Sequence, residues 1–171
     1  MPQIKIREWN EKPRTKLRFV KIGDIFCYQF SEEMFVFGQI LGKVNVGHVI
    51  QFFDIFQASP TITVEELSRA QFIGKPIIID SYTLFDRSPV WSWQIIGHQV
   101  DFDPSPFKDL AFKWGDPNGL QFGKVWIDGR TEPKIFSREE VEDLDWEACV
   151  GSIVYNRILE EELARRGNKG V

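Results

Sequence analysis

The sequence of 171 residues has few of the side chains that bind metals or form disulfides. It contains two histidines, two cysteines and two methionines. A structural zinc site needs four ligands drawn mainly from cysteine and histidine, so this supply argues against a zinc-stabilised fold. Two cysteines, Cys27 and Cys149, are too few for the disulfide framework of a small secreted domain. We therefore expect no bound metal or cofactor, and both thiols reduced and buried.

The chain also lacks long hydrophobic runs and a leader sequence. No segment approaches the length of uninterrupted apolar sequence that spans a bilayer, and the first residues lack the apolar core and cleavage site of a signal peptide. These absences predict a cytoplasmic protein with no membrane contact. Hydrophobic residues make up 43% and charged residues 27% of the chain, a balance typical of a globular protein rather than a disordered one.

Charge is distributed unevenly along the chain. Residues 1–21 contain seven basic and two acidic side chains and so carry +5, which leaves −9 on the rest of a chain whose net charge is −4. Residues 138–147 contain six carboxylates and one arginine. The overall acidity argues against a general nucleic-acid-binding protein. The acidic run has two interpretations, a solvated face or a surface that binds a basic partner.

Aromatic residues, in contrast, are abundant: 15 Phe, 6 Trp and 3 Tyr make up 14% of the chain. Many occupy alternate positions, as Phe26, Tyr28 and Phe30 do, which is the pattern of a β-strand with one buried face. Residues 101–120 are rich in proline and turn signals and are expected to form a long surface connection. The predicted strands cover residues 24–30, 34–41, 48–56, 76–85, 91–100 and 120–127, and the first three form an antiparallel meander.

Helices are predicted outside the sheet. Thr63 is a helix N-cap followed by two glutamates in the first turn, and Ser137 begins a short acidic helix. The fold class is therefore α+β: a curled antiparallel β-sheet or partly open barrel with flanking short helices and a C-terminal helix. That last helix is expected over residues 145–166, with one apolar face formed by Val150, Ile153, Val154 and Ile158.

We interpret residues 1–171 as a single domain, because the sequence shows no internal repeat and no low-complexity tract. Residues 1–16 are polar and basic without a clear period, and are expected to form a loosely held arm. Residues 17–136 are interpreted as the β-rich core, and residues 137–167 as a helical C-terminal part.

Side chains suited to catalysis are scarce. Cys27 with His48 or His98 has the composition of a nucleophile–base pair, but a thiol in mid-strand between aromatic residues is desolvated and inert. Asp101 and Asp103 are a candidate carboxylate pair, although forming turns is the commoner use of such aspartates. The sequence contains no phosphate-binding glycine loop, zinc-protease helix or serine elbow. We therefore expect no catalytic residues and no enzymatic activity.

Four segments resemble, in their order and spacing, the immunity protein 26 family of bacterial polymorphic toxin systems. They are Lys-Ile-Gly-Asp-Ile-Phe at residues 21–26, Phe-Val-Phe-Gly-Gln-Ile-Leu at 35–41, Phe-Phe-Asp-Ile at 52–55 and Trp-Gln-Ile-Ile-Gly-His at 93–98. The resemblance covers about residues 18–110. It implies a non-enzymatic antidote that binds and neutralises a cognate toxin domain, as in contact-dependent inhibition between bacteria. It also implies structural roles for Gly23, Asp24, Gly38, Phe53, Asp54, Trp93, Gly97 and His98.

The acidic run fits this interpretation, since opposite charges accelerate the capture of a basic toxin. Two alternatives stay open: a small-ligand or nucleic-acid-binding β-barrel that uses exposed aromatic residues, and a hydrolase. The sequence leaves the oligomeric state undetermined. The predicted contact residues lie beyond the resembling part of the chain, and are Glu139, Glu140, Glu142, Asp143 and Asp145, with Trp146 as an anchor.

Overall fold

Six antiparallel strands form the main sheet of the computed structural model, which describes residues 2–167. They are β1 (Ile4–Ile6), β2 (Asp24–Ser31), β3 (Met34–Val44), β4 (Gly47–Gln57), β5 (Phe72–Ile79) and β6 (Trp93–Gln99). Their order across the sheet is β1-β6-β2-β3-β4-β5, so β1 and β5 are edges and the sheet is not closed. Register shifts interrupt the pairing of β2, β3 and β4 with their neighbours, and such bulges bend a sheet. The predicted α+β fold with a curled antiparallel sheet is confirmed.

The N-terminal segment belongs to this sheet, so the expectation of a loosely held arm over residues 1–16 is wrong. β1 pairs with the end of β6, and Ile4 and Ile6 pack against the core on one face of the sheet. The ring of Trp9 meets the ring of Phe35 edge-on at 5.4 Å. A strand of three residues is too short for its alternation to be recognised in the sequence.

A second, two-stranded sheet consists of β7 (Ala111–Gly115) and β8 (Phe122–Trp126). β7 lies within residues 101–120, so the prediction of a long connection without strands is wrong there. Phe112 pairs with Val125 across the two strands. Both side chains are buried in a cluster that includes Leu41 and Ile78 of the main sheet, and this packing joins the two sheets.

Two α-helices flank the main sheet, α1 (Val64–Arg69) and α2 (Ser152–Gly167). The predicted N-cap of α1 is confirmed, because the Glu66 amide donates to Thr63 Oγ1 at 3.2 Å and the Thr63 amide donates to Glu66 Oε2 at 2.8 Å. The short acidic helix is a single 3-10 turn at Glu139–Val141. Within residues 2–167, no helix is both long enough and apolar enough to cross a membrane.

Helix α2 begins at a later residue than predicted, and different side chains of the helix face the core. The chain before it is extended, and the Val150 amide donates to the Ile78 carbonyl oxygen of β5 at 2.8 Å. Within the helix, Tyr155 and Leu159 are buried against the main sheet. Ile153 is 83% exposed, so its placement on the buried apolar face is wrong.

The two faces of the main sheet have separate cores, because side chains alternate along each strand. On one face, Trp93 stacks on Tyr28 at a ring distance of 4.4 Å and meets Tyr155 of α2 edge-on at 5.1 Å. On the other face, Leu67 of α1 packs in a cluster with Cys27. The strand residues at alternate positions thus serve two cores rather than one.

Candidate partner-binding surface

The acidic segment, defined as residues 139–147, is held to β7 at its C-terminal end by backbone hydrogen bonds. The Lys113 amide donates to the Asp145 carbonyl oxygen, and the Glu147 amide donates to the Lys113 carbonyl oxygen, both at 2.8 Å. Val141 is buried in a small cluster beneath the segment. These contacts fix the backbone that carries the predicted contact residues.

Two of those residues are paired within the protein. Glu140 accepts a hydrogen bond from Lys134 Nζ at 2.7 Å and another from the Ser137 amide at 2.8 Å. The Lys134 ammonium and the Ser137 amide lower the pKa of Glu140 to about 2. Asp145 accepts from Lys75 Nζ of β5 at 2.6 Å. Both carboxylates therefore hold the acidic segment in place through hydrogen bonds to other parts of the chain.

The remaining three carboxylates carry uncompensated charge. Glu139, Glu142 and Asp143 are exposed, and none of them forms an ion pair with another residue in the range 2–167. A partner can approach them without displacing an internal cation. Together with Glu147, which also forms no ion pair within residues 2–167, they are the source of the negative potential that the acidic segment presents to solvent.

Trp146 lies at the end of the acidic segment with one side of its ring covered. Its ring centroid is 6.0 Å from that of Phe122, and Lys113 Nζ lies 5.3 Å from it. The side chain is 38% exposed. Trp114, one residue beyond Lys113 on β7, is also exposed. Sequence reasoning missed Trp114, although the alternation of Phe112 and Trp114 was a signal for the strand that carries it.

Several residues of the resembling segments meet at one end of β2 and β6. His98 Nδ1 lies 2.8 Å from Asp24 Oδ1, and Asp24 Oδ2 accepts from the Lys21 amide at 2.8 Å. Burial raises the pKa of Asp24, although the Lys21 amide and His98 act in the opposite direction. Gly23 adopts a φ of +88°, and Gly97 pairs with both β1 and β2.

Two further residues of these segments link β4 to β5. Asp54 Oδ1 accepts from the Gln71 amide at 2.8 Å, which satisfies a backbone donor where the chain enters β5. The ring of Phe53 stacks on that of Phe72 at 4.9 Å. Each of these contacts holds strands together, and none of them brings titratable groups into a reactive arrangement.

The candidate nucleophile–base pair is not assembled. Cys27 is buried, and burial raises the pKa of its thiol. His48 Nδ1 is instead 2.9 Å from Ser81 Oγ, and burial lowers the pKa of His48 to about 4. His98 is engaged with Asp24. A general base must lie within hydrogen-bond reach of its nucleophile, and these two histidines have other partners.

The two carboxylates of the candidate pair accept hydrogen bonds from backbone amides. Asp101 Oδ1 accepts from the Gln3 amide at 2.9 Å. Asp103 accepts from the Ser105 amide at 2.9 Å and from its hydroxyl at 2.7 Å, and these bonds lower the pKa of Asp103. Asp103 has the local role of a turn-forming aspartate, whereas Asp101 connects the chain after β6 to the residue that precedes β1.

Comparison with known proteins identifies the family. A family model described as Immunity protein 26 matches residues 21–124, from just before β2 to within β8. No curated protein and no solved structure matches the chain. The match spans well over half of the sequence and includes all four of the resembling segments, whereas the acidic segment and α2 lie outside it. The chain therefore belongs to the immunity protein 26 family.

Proposed function

We propose that this protein binds a cognate bacterial toxin domain stoichiometrically and neutralises it without catalysing a reaction. The observation that carries the proposal is the family match over residues 21–124. The engagement of both histidines with other partners, and of Asp101 and Asp103 with backbone amides, supports a binding function over a hydrolytic one. The protein acts in the cytoplasm and needs no cofactor.

The toxin is basic and contacts the acidic segment. Glu139, Glu142 and Asp143 supply uncompensated negative charge, and Trp146 is the anchor. Glu140 and Asp145 contribute by holding the segment in place. Because residues 145–147 pair with β7 and Val141 is buried beneath the segment, little conformational entropy is lost when the segment binds, and preorganisation of this kind favours affinity. Exposed tryptophan is a frequent hot spot of protein interfaces.

Co-expression tests the proposal. Candidate toxin domains from neighbouring genes are produced one at a time from an inducible promoter in a sensitive bacterium, with and without this protein. We expect growth only in its presence, and a one-to-one complex in size-exclusion chromatography of the co-purified pair. Cells that die in both cultures, with no complex recovered, would contradict the proposal. Salt-dependent binding of a single-stranded oligonucleotide would favour the nucleic-acid-binding alternative instead.

A further inference from the structure

A groove of about 540 Å³ lies between the main sheet, α1 and the chain that follows β6. Four phenylalanine rings that touch in series form one wall. Phe53 stacks on Phe72 at 4.9 Å, Phe72 meets Phe107 edge-on at 5.9 Å, and Phe107 stacks on Phe102 at 6.4 Å. This wall offers aromatic faces and edges to an occupant, and the rest of the apolar lining includes Ile4, Ile25 and Leu67.

The floor of the groove carries a buried amide with a free acceptor. Gln39 is only 3% exposed, and its Nε2 lies 2.9 Å from Gln99 Oε1 and 3.5 Å from the Gly23 carbonyl oxygen. Since the Gly23 carbonyl oxygen can only accept, the amide nitrogen of Gln39 is placed towards it. No residue between 2 and 167 donates a hydrogen bond to Gln39 Oε1. Thr15 Oγ1 is the one fully buried side-chain polar atom in this range without a partner, so Gln39 Oε1 reaches the groove and is available to a donor that enters it.

The lining of the groove is also negatively charged. Asp101 and Asp103 lie among the lining residues, and no lysine, arginine or histidine of the described chain does. Neither aspartate forms an ion pair within residues 2–167. The groove thus combines an apolar lining with one aromatic wall, the Gln39 amide oxygen as an acceptor, and two carboxylates that no lysine, arginine or histidine of the lining neutralises.

We propose that this groove receives an arginine side chain of the toxin partner, an inference that rests on the proposed function. A guanidinium is planar, stacks on aromatic rings, and donates hydrogen bonds in several directions at once. Its methylene stem packs against the phenylalanine wall while the head reaches Gln39 Oε1 and the carboxylates. An apolar occupant would bury Gln39 Oε1 without a donor, which costs free energy. A lysine ammonium is more strongly hydrated and cannot stack.

A titration without the toxin tests the chemistry of the groove. ¹⁵N-labelled protein is titrated with N-acetyl-arginine methylamide and, as a neutral analogue of the same shape, with N-acetyl-citrulline methylamide. We expect saturable shifts at the side-chain amides of Gln39 and Gln99 with the arginine compound, and at least about tenfold weaker binding of the citrulline compound. Absence of saturable shifts, or equal binding of both compounds, overturns the proposal.

Variants extend the test to the complex. Gln39→Lys places a cation on the floor and should abolish the arginine shifts and weaken toxin binding by about tenfold or more. Ala58→Lys makes the same charge change at an exposed position just beyond the end of β4, outside both the groove and the acidic segment, and should change neither. Asp101→Asn, at the exposed rim, should weaken both interactions, and it replaces Gln39→Lys if that variant fails to fold.

These experiments can reject the proposed function and the arginine site of the groove independently of each other. If the wild-type protein forms no complex with the toxin but shows arginine-specific shifts, the proposed function is wrong and the arginine site of the groove is supported. If the toxin binds the Gln39→Lys and Asp101→Asn variants as tightly as the wild type, the groove is not part of the interface, and the proposed function is unaffected.

Discussion

Gly38 lies where β3 passes over the ring of Phe26, and no side chain fits there. A Cβ at this position would overlap the Phe26 ring and lie 2.5 Å from the Gln51 carbonyl oxygen of β4. We expect Gly38→Ala to lower the free energy of unfolding by about 1–3 kcal/mol, the usual cost of overpacking a core. Urea denaturation measures the change. Gly151→Ala is the control, because a Cβ there would meet nothing within 4 Å. Equal stability of the two variants would contradict the close approach.

His48 makes the stability of the fold depend on pH. Burial, together with the charge of Lys43, lowers its pKa from 6.5 to about 4. Between these two values the unfolded chain binds this proton and the folded chain does not. The stability that neutral His48 contributes is therefore complete above its unfolded pKa and is lost as the pH falls towards its folded pKa.

Substitution of His48 isolates this effect from other titrating groups. His48→Gln stays neutral and can still hydrogen-bond Ser81 Oγ. Between pH 7 and pH 5 the wild-type protein should lose about 2 kcal/mol more stability than the variant does. Urea denaturation of both proteins at both pH values gives the difference. If the two proteins lose the same amount, His48 takes up its proton equally readily in the folded and unfolded states.

At the scale of elements, α2 is attached to the main sheet through one buried face. Leu159 is fully buried and packs in the same cluster as Trp93. Leu159→Ala should lower the free energy of unfolding by about 2–5 kcal/mol, as deletion of a buried leucine side chain usually does. Ile153→Ala, at an exposed position of the same helix, should change it by less than about 0.5 kcal/mol. Guanidinium denaturation measures both changes. If α2 were instead rotated so that Ile153 is buried, Ile153→Ala would be the more destabilising of the two substitutions.

Strands and helices that are specified by a local sequence pattern, such as alternation or a helix cap, were predictable from the sequence. The long meander strands alternate over many residues, and the cap of α1 is a local motif, so β2, β3, β4 and α1 were placed correctly. β1 and β7 are short, and their pairing with distant strands decides their structure. The start of α2 is likewise set by a distant contact, because residues 145–147 pair with β7 and cannot join the helix.

At the scale of the whole molecule, the charge of the acidic segment was predictable but its internal pairing was not. Lys75 and Asp145 are 70 residues apart in the chain, and no local sequence pattern predicts their contact. The groove shows the same limit, since Gln39 and Phe107 come together only when the strands and the chain after β6 have folded. Composition can indicate a surface of one charge, whereas the carboxylates that remain unpaired depend on the tertiary structure.

The acidic segment should accelerate association with a basic toxin through long-range attraction. Glu142→Lys combined with Asp143→Lys reverses two unpaired charges, and we expect the association rate with the toxin domain to fall about tenfold or more at low salt. Glu32→Lys combined with Glu33→Lys makes the same change of net charge in the hairpin between β2 and β3, far along the chain from the acidic segment.

Stopped-flow measurements of the association rate from low to high salt distinguish an effect of the acidic segment from an effect of the net charge of the protein. The acidic-segment variant should bind more slowly than the hairpin variant at low salt. The two rates should converge as salt shortens the Debye length to about 3 Å near 1 M. Dissociation rates should change less than association rates if Glu142 and Asp143 act mainly by steering. Equal slowing in both variants would assign the effect to net charge alone and remove the acidic segment from the proposed interface, while leaving the membership of the family untouched.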